Sequence, residues 1–203
     1  MGKRCRRSGR TAAATALAIG LAAALTVGAA GPTSAATPGQ GAPGGRVPAG
    51  LEGPIVTHPA SQPFEYRAGE VCPFRARAEF PVSELRLRTW TDKEGRPVFA
   101  IEDGPLVLRA INLDTGKSVE REVSGTATIT YPEYPSSDVY VMSGDNWAAG
   151  FHYHDRPASK WLVSRGYMSV KLDPAAEATG GTSKQLLALY GPYEDLCTTL
   201  AGD

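Results

Sequence analysis

The sequence is poor in the residues and motifs that most enzymes use. After residue 36 it contains no G-x-S-x-G nucleophile elbow, no H-E-x-x-H zinc helix and no glycine-rich phosphate loop. The whole chain holds three histidines and three cysteines. These absences argue against the common serine hydrolases, zinc proteases and nucleotide-binding enzymes. We therefore favour a protein without its own catalytic machinery, and no motif predicts a cofactor.

The sequence also lacks the excess of positive charge that nucleic-acid binding needs. The chain has 21 basic and 21 acidic residues. Five of the basic ones and none of the acidic ones lie in residues 1–36, which leaves 16 against 21 in residues 37–203. Nucleic-acid recognition depends on a clustered basic excess. The sequence therefore predicts no nucleic-acid partner.

Long apolar runs are absent after the N-terminus. Residues 1–36 have a basic start, an alanine-rich run and small residues at Ser34 and Ala36, which is typical of a secretory signal peptide. The mature protein would begin near Thr37. The alternative is an uncleaved membrane anchor, but Gly31-Pro32 follows the run without stop-transfer charges. We expect a secreted protein, extracellular or associated with the cell wall, with no membrane contact after cleavage.

Cysteine is scarce, and the exported protein would keep a single pair. Cys5 leaves with the signal peptide, so Cys72 and Cys197 remain in an oxidising compartment. We predict that they form a disulfide. Closing so long a loop would destabilise the unfolded chain by about 4 to 5 kcal/mol in the chain-entropy model. The alternative is two free thiols with one acting as a nucleophile, but neither lies in a recognisable catalytic context.

Residues 37–63 are rich in glycine and proline, which together occupy 12 of the 27 positions. Such a segment buries too little apolar surface to offset the backbone entropy that ordering it would cost. We predict a flexible linker over residues 37–63, followed by one domain over residues 64–203.

The predicted domain is dominated by short extended segments and turn residues. In residues 71–80, apolar and charged side chains alternate, so one face of a strand should be buried, including Phe74 and Phe80. Asp92 to Gly95 predicts a hairpin loop. Further extended segments lie at 83–91, 97–101, 106–113, 118–124, 126–131, 138–142, 150–154, 160–172 and 184–190. This pattern predicts an all-β fold, an antiparallel sandwich or barrel of about eight or nine short strands.

The C-terminus differs because its apolar residues recur with a helical period. One face carries Tyr193, Leu196, Cys197 and Leu200. We predict a short helix with Pro192 at its first position and the acidic pair Glu194-Asp195 in its first turn. The predicted disulfide would then hold this helix against the strand that carries Cys72.

Several short stretches resemble small secreted β-rich proteins of high-GC actinobacteria. They are GEVCPF at 69–74, NLDTGKS at 112–118, Ser124-Gly125-Thr126 and the late Cys197. These are turn and disulfide features, and they span about residues 64–200 of the chain. The resemblance implies a β-rich fold and an extracellular location. It implies no activity and no functional residue.

Two histidines stand at alternate positions in the segment GFHYHDRP, residues 150–157. In a strand, His152 and His154 would project from one face about 7 Å apart, close enough to share a metal ion. Asp155 or a distant carboxylate would supply a third ligand. The alternative is a pair of exposed or hydrogen-bonded histidines beside a turn. A metal site here would favour a small secreted hydrolase or metal-dependent enzyme.

Aromatic residues crowd the chain between residues 131 and 161. Exposed Tyr and Trp beside Asp and Asn form the usual surface for stacking on sugar rings, whereas the same residues turned inward form a core. We expect Tyr140 and Trp161 to be core, because they lie in strand patterns. Trp147 and Tyr134 are the candidate ligand contacts, and a cell-wall glycan is the candidate partner.

Arginines form the last candidate site. If Pro81-Val82 turns the chain back as a hairpin, the outward side chains share one face, namely those of Arg75, Arg77, Arg86 and Arg88. Such a strip would suit an anionic wall polymer; the alternative is a solvated face neutralised by carboxylates. Together these features favour a secreted, non-catalytic binding or structural module that acts at the cell surface or in the medium.

Overall fold

The computed structural model describes residues 50–174 and 183–201. Within these residues the fold is all-β, as predicted, with fourteen strands in three antiparallel sheets and one short C-terminal helix. The strand count exceeds the prediction because three-residue strands also form and because the segment 160–172 divides at Gly166. The predicted signal peptide lies outside the described residues.

The elements are short and follow one another closely along the chain. In chain order they are β1 (Glu52–Thr57), β2 (Phe64–Tyr66), β3 (Ala76–Ser83), β4 (Arg86–Thr91), β5 (Pro97–Asp103), β6 (Leu106–Asn112), β7 (Ser118–Glu122), β8 (Ala127–Thr130), β9 (Tyr140–Asp145), β10 (Ala148–Phe151), β11 (Lys160–Ser164), β12 (Tyr167–Asp173), β13 (Ser183–Tyr190), β14 (Tyr193–Asp195) and α1 (Leu196–Ala201). Seven strands form one sheet in the order β1-β4-β5-β8-β9-β12-β13. The other two sheets have the orders β2-β3-β6-β7 and β10-β11-β14.

Strand β11 lies at the centre of the packing because both of its faces are buried. Trp161 and Val163 point into a core that they share with β3, β6 and α1. Leu162 points the other way, into a second core with residues of β10 and β12. A strand that is buried on both faces has a continuous apolar run instead of alternation. The prediction that Trp161 belongs to the core is confirmed, while Tyr140 is half-buried.

Strand β3 has the predicted alternation. Ala76 and Ala78 are fully buried, and the charged residues that alternate with them, Arg77 and Glu79, are not. Phe74 and Phe80 are only half-buried and pack at the edge of the same core. The strand begins later than predicted, because residues 71–74 form a bend that carries Cys72 into the core.

The predicted hairpin between the third and fourth strands is wrong, whereas the next hairpin is confirmed. Strand β3 continues through Pro81-Val82 with a bulge and pairs with β2 and β6, while β4 belongs to the seven-stranded sheet. Pro81-Val82 therefore bends the strand without reversing it. Strands β4 and β5 form a hairpin around Asp92 to Gly95, in which Gly95 has φ 79°.

The predicted disulfide joins Cys72 to Cys197, with 5.2 Å between their Cα atoms. The helix that carries Cys197 is shorter than predicted, because residues 193–195 form β14 beside β11. Asp195 is the N-cap, since its carboxylate accepts a hydrogen bond from the Cys197 N–H at 3.1 Å. Leu196 and Leu200 are buried as predicted, but Tyr193 is exposed on the strand.

The predicted linker, residues 37–63, contains a strand. Glu52–Thr57 forms β1 and pairs with β4 at the edge of the seven-stranded sheet. All six of its residues are exposed, so backbone pairing, and not side-chain burial, attaches this strand. Among the described residues, no helix has the length and apolarity needed to cross a membrane.

Candidate functional site

The two candidate histidines lie side by side, although not on a strand. Strand β10 ends at the fully buried Phe151, and residues 152–155 form a turn. The imidazole rings of His152 and His154 are stacked, with centroids 5.4 Å apart and planes 5° apart. The carboxylate of Asp155 lies 3.3 Å from His152 Nδ1 and 3.6 Å from His154 Nε2. One ligand atom from each of the three residues falls within 4.8 Å of the others.

Asp155 holds this turn together. Its side chain accepts hydrogen bonds from the backbone N–H of His152 and from that of Lys184 on β13, each at 2.6 Å. Burial by itself would raise the pKa of Asp155, but the hydrogen bonds from His152 and Lys184 and the charge of Lys184 lower it overall. The side chain of Asp155 is 0% exposed, and its carboxylate is therefore ionised and fixed in place.

A lysine side chain completes the cluster. Lys184 Nζ lies 3.2 Å from His152 Nδ1 and 3.6 Å from the Asp155 carboxylate, and its side chain is 17% exposed. A lysine ammonium only donates hydrogen bonds, so this contact forms in the tautomer whose Nδ1 is unprotonated, whereas the hydrogen bond from the His152 ring to Asp155 forms in the other tautomer. In the first tautomer a ring nitrogen and a carboxylate both face the ammonium.

The two aromatic residues predicted as ligand contacts have structural partners. Trp147 is half-buried against the second core, and its indole N–H donates to the Met168 carbonyl at 3.1 Å. The Tyr134 hydroxyl donates to Asp92 Oδ2, and the Arg96 guanidinium lies 5.5 Å from the Tyr134 ring centroid. Tyr134 therefore joins the β8–β9 connection to the β4–β5 loop.

The predicted arginine strip is divided between two sheets and is paired with carboxylates. On the four-stranded sheet, Arg75 contacts Asp114 at 2.8 Å and Arg77 contacts Glu65 at 2.5 Å. On the seven-stranded sheet, Arg86 and Arg88 share Asp103. The four arginines therefore do not form one basic surface, because β3 and β4 are not neighbours.

One face of the seven-stranded sheet is turned to solvent. On β8, Ala127 is buried and Ile129 is half-buried, whereas Thr128 and Thr130 are exposed, which identifies the outward side of the sheet. Strand parity and register extend this side across the neighbouring strands. We call it the solvent face, and its members include Arg86, Arg88, Trp90, Phe99, Ile101, Asp103, Thr128, Thr130, Val141, Ser143, Tyr167, Ser169, Lys171 and Tyr190.

The solvent face carries two pairs of aromatic rings. Trp90 on β4 stacks on Phe99 on β5, with centroids 4.5 Å apart and planes 9° apart. Tyr167 on β12 stacks on Tyr190 on β13 at 6.3 Å, and these tyrosines are 43% and 69% exposed. Three strand steps and four residues of register separate the pairs, or about 14 Å across the strands and about 13 Å along them.

Hydroxyl side chains occupy the surface between the two aromatic pairs. Thr128 and Thr130 are exposed on β8, whereas Ser143 on β9 is half-buried and bonds through its hydroxyl, at 2.7 Å, to the buried hydroxyl of Ser169 on β12. No motif in the sequence marks these four residues. The outward side of β4 carries Trp90 in alternation with Arg86 and Arg88, which was the signal available in the sequence.

Clefts elsewhere on the surface are shallow. One of about 430 Å³ lies beside the disulfide and is lined by Pro73, Lys160, Asp195 and Thr198 among others. Another of about 290 Å³ lies at the edge of β2, near Phe64 and Arg77. Neither cleft contains a histidine or any member of the solvent face.

Comparisons with known proteins found no match: no family model, no curated protein and no solved structure is similar to this chain.

Proposed function

We propose that this protein is a secreted, non-catalytic module that binds an uncharged polysaccharide on the solvent face of its seven-stranded sheet. The observation that supports the proposal is the arrangement of that face, in which two stacked aromatic pairs lie at opposite corners with the exposed hydroxyls of Thr128 and Thr130 between them. Apolar ring faces complement the C–H faces of sugar rings, and hydroxyls exchange hydrogen bonds with sugar hydroxyls.

The exposure of the tyrosines supports a binding role for this surface. Tyr190 and Tyr167 expose large rings at the edge of the sheet, where a purely structural strand would expose polar or charged side chains. Stacking of the two rings on each other keeps them together, so a ligand would order few further rotatable bonds.

The charges of the face favour an uncharged chain over an anionic polymer. Asp103 partners both Arg86 and Arg88, and Lys171 lies 3.8 Å from Asp173 and 3.9 Å from Glu133. With its cations paired in this way, the face lacks the concentrated positive charge that would attract a polyanion. Secretion is part of the proposal, and the disulfide between Cys72 and Cys197 supports it.

The test measures binding of the purified protein to soluble β-glucan, xylan, chitin fragments and a teichoic acid at 0.15 M salt. Binding is measured by affinity electrophoresis or calorimetry. We expect binding to at least one uncharged polysaccharide. Tyr190→Ala and Trp90→Ala should each weaken it about tenfold or more, because each removes a stacking ring. Tyr153→Ala is the matched control, since Tyr153 is 67% exposed but lies in the turn after β10.

Three outcomes would overturn the proposal. They are no binding to any of the four polymers, binding to teichoic acid but to none of the uncharged polysaccharides, and equal weakening by Tyr153→Ala and Tyr190→Ala. Thermal unfolding of each variant checks that removing the ring has left the fold intact. Substitution of Tyr190 should disturb the fold least, because Tyr190 lies on the outermost strand of the sheet.

A further inference from the structure

We propose that His152, His154 and Asp155 form a binding site for one divalent transition-metal ion of the zinc class, in competition with the ammonium of Lys184. The site is separate from the solvent face and does not depend on polysaccharide binding. Two imidazoles and one carboxylate form a donor set that suits zinc, copper or nickel, and three protein ligands leave a coordination position for water.

The distances are close to those of a tetrahedral site. Bonds of about 2.1 Å place neighbouring ligand atoms of a tetrahedron about 3.4 Å apart. Asp155 Oδ2 lies 3.3 Å from His152 Nδ1, and the other oxygen, Oδ1, lies 3.6 Å from His154 Nε2. With one ligand atom taken from each residue, no pair is more than 4.8 Å apart, so a metal ion would need to draw any pair together by at most about 1.4 Å.

The surroundings hold the ligands in place. Two backbone N–H groups orient the Asp155 carboxylate, as outer hydrogen bonds do for carboxylates that ligate metals. The ring of Tyr66 contacts the His152 ring edge-on with centroids 5.6 Å apart, and Tyr153 contacts His154 in the same way at 5.0 Å. The rings therefore have few other orientations to lose when a metal binds.

Lys184 marks the position where the cation would bind. Its ammonium contacts His152 Nδ1 and the Asp155 carboxylate, two of the three proposed ligands. A divalent ion in place of the ammonium would carry twice its charge, and the flexible lysine side chain would turn aside to solvent. Replacement of the lysine by an uncharged side chain should therefore strengthen metal binding.

The experiment measures zinc and cobalt binding to purified protein that carries no added histidine tag, by calorimetry and by the visible spectrum of cobalt. We expect one ion per chain and a rise in unfolding temperature on adding zinc. His154→Ala should weaken binding at least tenfold. Lys184→Met should strengthen it about tenfold, because it removes the positive charge that competes with the ion for His152 and Asp155.

The matched control is His58→Ala, which removes the other histidine of residues 37–203 and leaves the cluster intact. It should bind zinc as the unaltered protein does. The proposal is overturned if the unaltered protein binds no ion with one-to-one saturation, if only Lys184→Met binds one, or if His154→Ala and His58→Ala have equal effects. Loss of the fold is tested by circular dichroism, and His154→Ala remains informative because it leaves the hydrogen bonds of Asp155 in place.

Discussion

The disulfide between Cys72 and Cys197 should supply a large part of the stability of this protein. It joins the bend before β3 to α1, and both cysteines are buried in the core that contains Trp161. The six-residue helix is too short to be stable by itself. It depends on the disulfide, on the burial of Leu196 and Leu200, and on the hydrogen bond that Asn112 Nδ2 donates to the Leu200 carbonyl at 3.0 Å.

The size of the effect follows from the length of the closed loop. The cysteines are 125 residues apart. In the chain-entropy model, removing a cross-link over such a loop restores about 16 cal/mol/K to the unfolded chain, which is about 5 kcal/mol at 25 °C. Because whole domains are stable by about 5 to 15 kcal/mol, the reduced protein should be close to unfolding.

The measurement is urea unfolding of the oxidised protein, of the reduced protein and of the double variant Cys72→Ala/Cys197→Ala. Reduction should lower the free energy of unfolding by about 5 kcal/mol and increase the urea m-value, since an unfolded chain without the cross-link exposes more surface. Val71→Ala is the control for packing, because Val71 is also fully buried: it should cost roughly 2 kcal/mol and leave the m-value unchanged. A loss below about 1 kcal/mol on reduction would show that closing this loop does not stabilise the folded protein through the entropy of the unfolded chain.

Two further predictions concern single carboxylates. Burial would raise the pKa of Asp92, but the Tyr134 hydroxyl and the backbone and side chain of Arg96 outweigh it and hold the pKa well below its ordinary value of 3.8. The stabilisation by the Asp92 carboxylate is therefore present above about pH 3.8 and is lost as the pH falls further. Asp92→Asn should lower the unfolding temperature at pH 7, and the unfolding temperature of this variant should decline less steeply between about pH 4 and pH 2 than that of the unaltered protein. Burial, and next the charge of Asp103, raise the pKa of Glu102 above 4.5. Ionisation of Glu102 opposes folding as the pH rises from about 4.5. The Glu102→Gln variant should therefore have a higher unfolding temperature than the unaltered protein at pH 7 and the same unfolding temperature at pH 4. Equal unfolding temperatures at pH 7 would contradict this prediction.

Local patterns predicted the faces of strands but not the sheets to which the strands belong. Alternation in β3 identified the buried Ala76 and Ala78. The same alternation is compatible with a hairpin and with a strand that continues into another sheet. The choice depends on long-range contacts, such as the pairing of β3 with β6 and the hydrogen bond from the Glu84 N–H to the Pro105 carbonyl at 2.8 Å. These contacts leave no signal in the sequence near Pro81.

The prediction that His152 and His154 lie close together is correct, although the backbone conformation on which it was based is not. A strand over residues 150–154 predicts His152 and His154 on one face. The structure instead ends the strand at Phe151 and closes a turn, because the Asp155 carboxylate accepts the N–H of residue 152. The sequence could not show that Lys184, more than 25 positions later, would enter the same cluster.

The aromatic pairs of the solvent face could not be predicted from local sequence on either side. The hairpin loop at Asp92 to Gly95 joins β4 to β5, but Trp90 lies opposite Phe99 only because the register shifts by one residue between Trp90 and Thr91. Tyr167 and Tyr190 meet only because β12 pairs with β13, and the nine positions between Asp173 and Ser183 in the sequence exceed the two-residue loops that fix the register of a hairpin. The two aromatic pairs lie on the same side of the sheet because of the register with which β8 and β9 pair between them. A shift of one residue at either strand would turn Tyr167 and Tyr190 towards the core. The solvent face is assembled from six strands, so it exists only when those strands pair in this order and register. Variants that shift the register of β9 should therefore remove the binding surface without changing any of the residues that form it.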